Sequence, residues 1–160
     1  MINERLLVRA KRKNWNNIPE EQWWAQGTAI KMYINNEKNT PHHFIIPGEN
    51  DLSPEMKISN IIIEVEENTI SQSIGFKDRY KGDIYENMIL SREIYGHTIK
   101  GVITWRNIGI CGFYLMFKNP DGITSYYSMG RGQYDNDTNN KCNDVILGNM
   151  FDNLDLLEVT

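Results

Sequence analysis

The sequence predicts a mostly β protein whose helical content is limited to short turns. Three observations predict it. Apolar and polar residues alternate over many short runs, and Gly, Asn and Pro clusters separate those runs. No long stretch repeats its apolar positions every 3.6 residues, the mark of an amphipathic helix. Short strands punctuated in this way assemble as sandwiches or barrels. No self-similarity of solenoid length is present.

Residues 5–13 open the chain with a half-buried strand pattern, in which Leu6, Val8 and Ala10 alternate with Leu7, Arg9 and Lys11. Asn14 to Glu21 is a polar turn region containing Pro19. Trp23 to Gly27 lead into a second strand, Thr28 to Ile34, and Asn35 to Asn39 turn the chain. His42 to Ile46 is a third strand, stopped by Pro47-Gly48. Asn50 to Lys57 is a loop or single helical turn, and the β-branched run Ile61 to Glu66 is a fourth strand. Ser71 to Phe76 continues extended, and Lys77 to Gly82 form a turn. Four strands follow: Ile84 to Leu90, Ile99 to Trp105, Gly112 to Lys118 and Ile123 to Met129. Asn119-Pro120-Asp121-Gly122 between the last two is a hairpin turn, since Pro presets one φ and Gly accepts a positive one. Gly130 to Lys141 is a polar loop. Asp144 to Leu147 is a final strand, and Asp152 or Asn153 caps a closing helical turn through Leu157.

A chain of 160 residues suits one domain or two small halves sharing a core, and needs no covalent staple. Its net charge of −4 and pI of 5.4 disfavour a general DNA-coating role, which depends on clustered Lys and Arg. Cys111 and Cys142 fit no metal-ligand spacing and read as free thiols of a reducing cytosol. The start Met1-Ile2-Asn3-Glu4 is followed by no apolar signal region, and no apolar run is long enough to span a membrane. Frequent Asn and Ile, both with A/T-rich codons, hint at an AT-rich genome.

Few residues carry a chemical signal. His42 and His43 are adjacent, so on a strand they face opposite ways, which suits no shared metal. Glu64 and Glu66 share a face and could do acid–base work or bind Mg²⁺, but alternation on a strand makes them a solvent face. Asp135-Asn136-Asp137 lacks the Gly and terminal Glu of a Ca²⁺ loop, and Gly130-Arg131-Gly132 is not a phosphate loop. No motif arranges a Ser-His-Asp triad. The reading is therefore no enzyme, with no catalytic residue, metal or cofactor assigned. The clearest interaction candidate is the basic run Arg5, Arg9, Lys11, Arg12 and Lys13. On a strand Arg9, Lys11 and Lys13 share one face, and Trp15 and the Trp23-Trp24 pair could add stacking. Arg131 in the polar loop joins this candidate surface.

Three separated motifs carry a resemblance. Gln72-Ser73-Ile74-Gly75-Phe76-Lys77-Asp78 is followed by Gly82-Asp83-Ile84. The C-terminus reads Ile146-Leu147-Gly148-Asn149-Met150-Phe151-Asp152-Asn153-Leu154 and runs on to Glu158. The N-terminus has Val8-Arg9-Ala10-Lys11-Arg12, then Gln22-Trp23-Trp24-Ala25-Gln26-Gly27. In this order the motifs resemble the YopX-like family of phage and prophage proteins. Ala10, Ile74 and Leu154 stand where that family usually has Gly, Thr and Pro. The resemblance implies a β-rich region over residues 1–70 and an SH3-like small barrel over 71–160, forming one compact unit. It also implies a mobile-element origin and the cytoplasm of a bacterial host. It supplies no catalytic residues. Its motif positions Trp23, Gly27, Gly75, Lys77, Asp78, Gly82, Asp83, Gly148 and Asn149 each have a structural explanation. Gly75 and Gly82 free the backbone around the turn, Asp83 bonds its N–H groups, and Ile84 begins a buried face.

The functional expectation is a phage-derived, non-enzymatic accessory protein that binds a macromolecule or assembles with itself as a homo-oligomer, with no membrane partner. A second reading is a nucleic-acid-binding module using Arg9, Lys11, Arg12 and Lys13. A third is a small metal-dependent enzyme using His42, His43 or the Glu64/Glu66 pair.

Overall fold

The computed structural model describes residues 7–33, 41–48, 62–94, 96–129 and 144–157. The strands are β1 (Val8–Lys11), β2 (Trp24–Met32), β3 (His42–Ile46), β4 (Ile63–Val65), β5 (Ser71–Lys77), β6 (Asp83–Tyr85), β7 (Met88–Ile94), β8 (His97–Ile108), β9 (Ile110–Lys118), β10 (Thr124–Ser128) and β11 (Val145–Asn149). Helical structure among the described residues is confined to 3-10 turns at Trp15–Asn17, Glu20–Gln22, Glu67–Thr69 and Leu154–Leu157. The protein is thus mostly β. No helix of the described residues is long and apolar enough to cross a membrane. The chain divides into two compact units, Met1–Ser73 and Ile74–Thr160.

In the first unit β4, β3, β2 and β1 lie side by side, and the opening residues of β5 pair with β1 through Arg9↔Ser71 and Val8↔Gln72. β2 starts four residues before the expected Thr28, because Trp24 to Gly27 pair with Lys11 to Val8. From Thr28 onward the same strand pairs with β3 instead. Gly27 stands at that change of partner, where a Cβ would lie 2.0 Å from the Ile46 carbonyl oxygen. No side chain fits there. The core is small: Ala10, Ala25, Ile45 and Val65, with Val8, Ile63 and Ile70 against it. Ala10 and Ala25 are direct cross-strand partners and both are buried.

In the second unit an antiparallel sheet runs β10-β9-β8-β7-β11. The last strand returns to pair with the first strand of the set, with a bulge between Ile146 and Gly148. The barrel expected from residue 71 onward is not closed: among the described residues β10 and β11 are the two open edges. The expected single strand Ile84 to Leu90 is two strands, β6 and β7, with a turn at Glu86-Asn87 between them. Asn87 takes a left-handed conformation (φ 63°), which Asn tolerates better than most residues. Its N–H donates to Ile103 and its carbonyl accepts from Met150, so the turn is fixed from both sides. The Asn119–Gly122 turn forms as expected, with Gly122 at φ 81°. Ile84, Ile89, Leu90, Ile103 and Leu115 are fully buried.

One buried feature of this unit leaves no mark in the sequence. Arg92 on β7 donates to both carboxylate oxygens of Asp144, from Nε at 2.6 Å and Nη2 at 2.5 Å. The Asp144 side chain is 1% exposed and that of Arg92 9%. The two are 52 residues apart, so nothing local announces the pair. Arg92 also lies over the Tyr127 ring.

Candidate binding surfaces

The basic N-terminal strand does not present a row of open cations. β1 ends at Lys11, so Lys13 lies beyond the strand on which it was expected to share a face with Arg9 and Lys11. Lys11 is 6% exposed. Its Nζ sits 3.9 Å from the Trp15 ring centre and 4.4 Å from that of Trp23, and those two rings meet edge to face. Arg9 lies over Trp24 at 4.4 Å. Such contacts hold a cation against an aromatic face at the cost of its freedom to meet a ligand. The Arg12 Nε is buried without a hydrogen-bond partner. Lys13 donates to Glu64 Oε1 at 2.7 Å. The aromatic residues expected to add stacking therefore stack on the protein's own charges.

Glu64 joins two of the residues singled out for chemistry. Its Oε1 also lies 2.8 Å from His42 Nδ1. The hydrogen bond from Lys13 holds the Glu64 carboxyl below its usual range, against a smaller opposing effect of burial, and the same bond raises the Lys13 ammonium. His43 faces Glu67 instead, at 3.5 Å. Both paired carboxylates act on Lys13, Glu64 through its hydrogen bond and Glu66 through a weaker charge attraction, while the Glu66 backbone bonds Lys11 and Thr69. Among the described residues, no three His, Cys, Asp or Glu side chains gather closely enough to hold a metal ion.

The motif residues of the Gly75–Ile84 segment build a turn, with roles partly exchanged relative to expectation. Asp78, not Asp83, bonds the turn's N–H groups. Its Oδ1 accepts from Gly82 at 2.7 Å and Tyr80 at 3.0 Å, and its Oδ2 from Ile146 at 3.4 Å. Asp83 pairs with Lys77 across the turn. Lys81, not Gly82, takes the left-handed conformation, at φ 70°. Gly75 does so at φ 77°, inside β5 rather than at the turn's edge. At the C-terminus Gly148 lies at the β11 bulge. Asn149 Oδ1 accepts from Phe151 and Asp152 N–H groups. Asn153 turns its side chain back to the Asn149 N–H, so it is not the side-chain cap of the last helical turn. Trp23 and Trp24 are both half-buried, engaged with Lys11 and Arg9. Arg131, the Gly130–Lys141 loop and Cys142 lie outside the described residues.

The exposed surface that the sequence reading passed over is the β8–β9–β10 meander. Trp105, Ile108 and Ile110 are 51%, 48% and 77% exposed at the β8–β9 hairpin. Trp105 packs edge to face on Phe113, its direct cross-strand partner. The other face follows from the register. Lys100, Arg106 and Ile108 alternate along β8; Tyr114 and Lys118 occupy the matching face of β9; Tyr126, opposite Met116, continues it on β10. Arg106 lies over the Tyr126 ring at 5.9 Å. Tyr114 donates its phenol to the Ile110 carbonyl at 2.7 Å, which ties the hairpin tip. From His97 to Lys118 the sequence contains no Asp or Glu. That absence is the signal from which the surface could have been found. The chain matches no protein-family model and no curated protein.

Proposed function

We propose that this protein is a non-enzymatic binding module that acts by engaging a macromolecule or a second copy of itself through the β8–β9–β10 meander. One observation carries the reading: Trp105, Ile108 and Ile110 are exposed at one hairpin, Ile108 and Ile110 on the same face as Arg106 and Tyr126. Clustered exposed apolar and aromatic groups are what binding surfaces are made of. The engagement of Arg9, Lys11 and Lys13 with Trp24, Trp15, Trp23 and Glu64 supports placing the surface here rather than on the N-terminal strand. The prophage origin and YopX-like kinship remain part of the proposal, supported by the three ordered motifs. The SH3-like architecture is supported by a five-stranded meander whose last strand lies beside its first.

The test is site-specific photocrosslinking in cells. A photoreactive residue replaces Ile110 in one strain and exposed Glu21 in another. The expected result is crosslinking to a discrete protein, nucleic acid or second copy from position 110 and not from 21. Equal, diffuse labelling from both positions refutes the reading. So does a hydrolytic or transfer activity that is lost on substituting a single carboxylate or His.

A further inference from the structure

We infer that the partner of this surface is single-stranded nucleic acid, laid along the exposed residues of β8, β9 and β10. This rests on the binding-module reading above and names its ligand class.

The argument starts from the register. Residues two apart on a strand share a face, and directly paired residues share it across strands. Val102 pairs with Met116 and Thr104 with Tyr114, which puts Lys100 and Lys118 at matching positions on the same face as Arg106. Tyr126, opposite Met116, extends that face onto β10. Lys100, Arg106, Lys118 and Tyr126 are exposed, and Tyr114 is half-buried with its ring anchored through its phenol. Lys100 and Arg106 are six positions apart, about 20 Å of strand, and flank a patch where Val102 and its partner Ile89 are buried, so the path between them runs by way of Lys118 and Tyr126. A Cβ built on Gly112, the partner of Arg106, meets nothing within 4 Å, so the face is open beside the guanidinium.

The charge is complementary to phosphate. The hairpin from His97 to Lys118 carries three Lys or Arg residues and no carboxylate, in a chain whose net charge is −4. The nearest carboxylates sit at its margins. Glu93, opposite Thr98, shares the Lys100 face at the far end of the hairpin from its tip, Glu86 accepts the Trp105 N–H at the strand's side, and Asp121 turns onto the Ile123 N–H of its own loop. Aromatic side chains set among cations on an open sheet are the elements that bind single strands, the cations tracking phosphates and the rings stacking on unpaired bases. A duplex keeps its bases stacked inside and offers those rings no face. Arg106 lies 5.9 Å from the Tyr126 ring centre, a looser contact than those of Arg9 and Lys11 with their indole rings, and both side chains stay exposed.

Fluorescence anisotropy of the full chain with labelled single-stranded DNA and RNA of about 20 nucleotides, at about 50 mM salt and upward, tests this. Single strands should bind more tightly than the matching duplex. The slope of log K against log salt should be about −2, from three phosphate contacts at about 0.7 each. Tyr126→Ala should weaken binding roughly 5- to 150-fold, the loss of one stacked base, while Tyr126→Phe keeps it. Arg106→Ala should make the slope shallower by about 0.7. Lys13→Ala, on the other unit, should change nothing. Circular dichroism checks that each variant is folded. Preference for duplex, or affinity that ignores Tyr126 and Arg106, overturns the inference, as does equal binding of polyglutamate. If no oligonucleotide binds but the crosslinker at position 110 still captures a protein or a second copy, the nucleic-acid inference falls and the binding-module reading stands. If neither occurs, both fall.

Discussion

Asp78 is the residue on which the second unit's entry turn depends, and its removal gives the sharpest test of the fold. The side chain is 4% exposed and accepts three backbone N–H groups. A hydrogen bond to a charged group contributes about 1.5–3 kcal/mol, and a buried N–H left without a partner costs about 1–3 kcal/mol. The three bonds are not equal. Tyr80 is exposed, so water can replace the acceptor for its N–H. The bond from Ile146 is long, at 3.4 Å. The Gly82 bond at 2.7 Å is the strong one. Full loss of that bond plus partial loss of the others comes to about 3 kcal/mol for Asp78→Ala. Asp78→Asn keeps one carbonyl oxygen but turns an NH2 towards a donor, and should cost about half as much. Urea denaturation reads the change as a lower midpoint at unchanged slope. Amide hydrogen exchange localises it: Gly82 and Ile146 should lose protection together, although they are distant in sequence. A midpoint for Asp78→Ala within about 0.5 kcal/mol of the parent would refute the reasoning. So would loss of protection at Gly82 alone, because the link to β11 would then carry nothing.

Three further predictions follow from the same structure. Asp144→Ala leaves the Arg92 guanidinium buried without its carboxylate and should cost about 3–5 kcal/mol, whereas Arg92→Met with Asp144→Leu should come close to neutral; thermal denaturation of the single and double variants separates the two cases. Gly27→Ala drives a methyl group into the Ile46 carbonyl and should cost about 3 kcal/mol or more, with β2–β3 amides losing exchange protection first. Glu64→Gln should reduce stability by less than about 1 kcal/mol at neutral pH, since the ion pair with Lys13 is largely solvent-exposed. Because the folded protein holds the Glu64 carboxyl below its ordinary value of 4.5, that contribution is present above this pH and fades as pH falls below it. At the alkaline end it fades as pH rises past the raised value of Lys13, above 10.5. Urea midpoints of parent and variant should converge at both extremes, and a gap that widens on acidification rules the linkage out.

Several features of this protein were legible residue by residue. The period-two alternation at Val8 to Ala10, the β-branched run ending at Val65 and the Asn119-Pro120-Asp121-Gly122 turn each declare a local backbone state through sterics alone. The mostly β class follows from these, as does the burial of Ile84. The basic strand was legible as charge but not as surface. Whether Lys11 faces water or two indole rings depends on where Trp15 and Trp23 land after an intervening turn. The split of Ile84 to Leu90 was hidden because its apolar pattern reads through Asn87. Only the bonds from Asn87 to Ile103 and from Met150 to Asn87 hold that turn closed.

By itself, then, the sequence determined which segments extend and where they turn, since φ/ψ preferences and alternating burial act over a few residues. Tertiary structure decided which groups are shared across distance. It pairs Arg92 with Asp144, ties Asp78 to Ile146, and lines up Lys100, Arg106 and Tyr126 through cross-strand register. Such pairings close long loops and depend on which strands meet. A charge's role follows from its final neighbours, so Arg9, Lys11 and Lys13 are engaged inside their own unit while Lys100, Arg106 and Lys118 stay exposed.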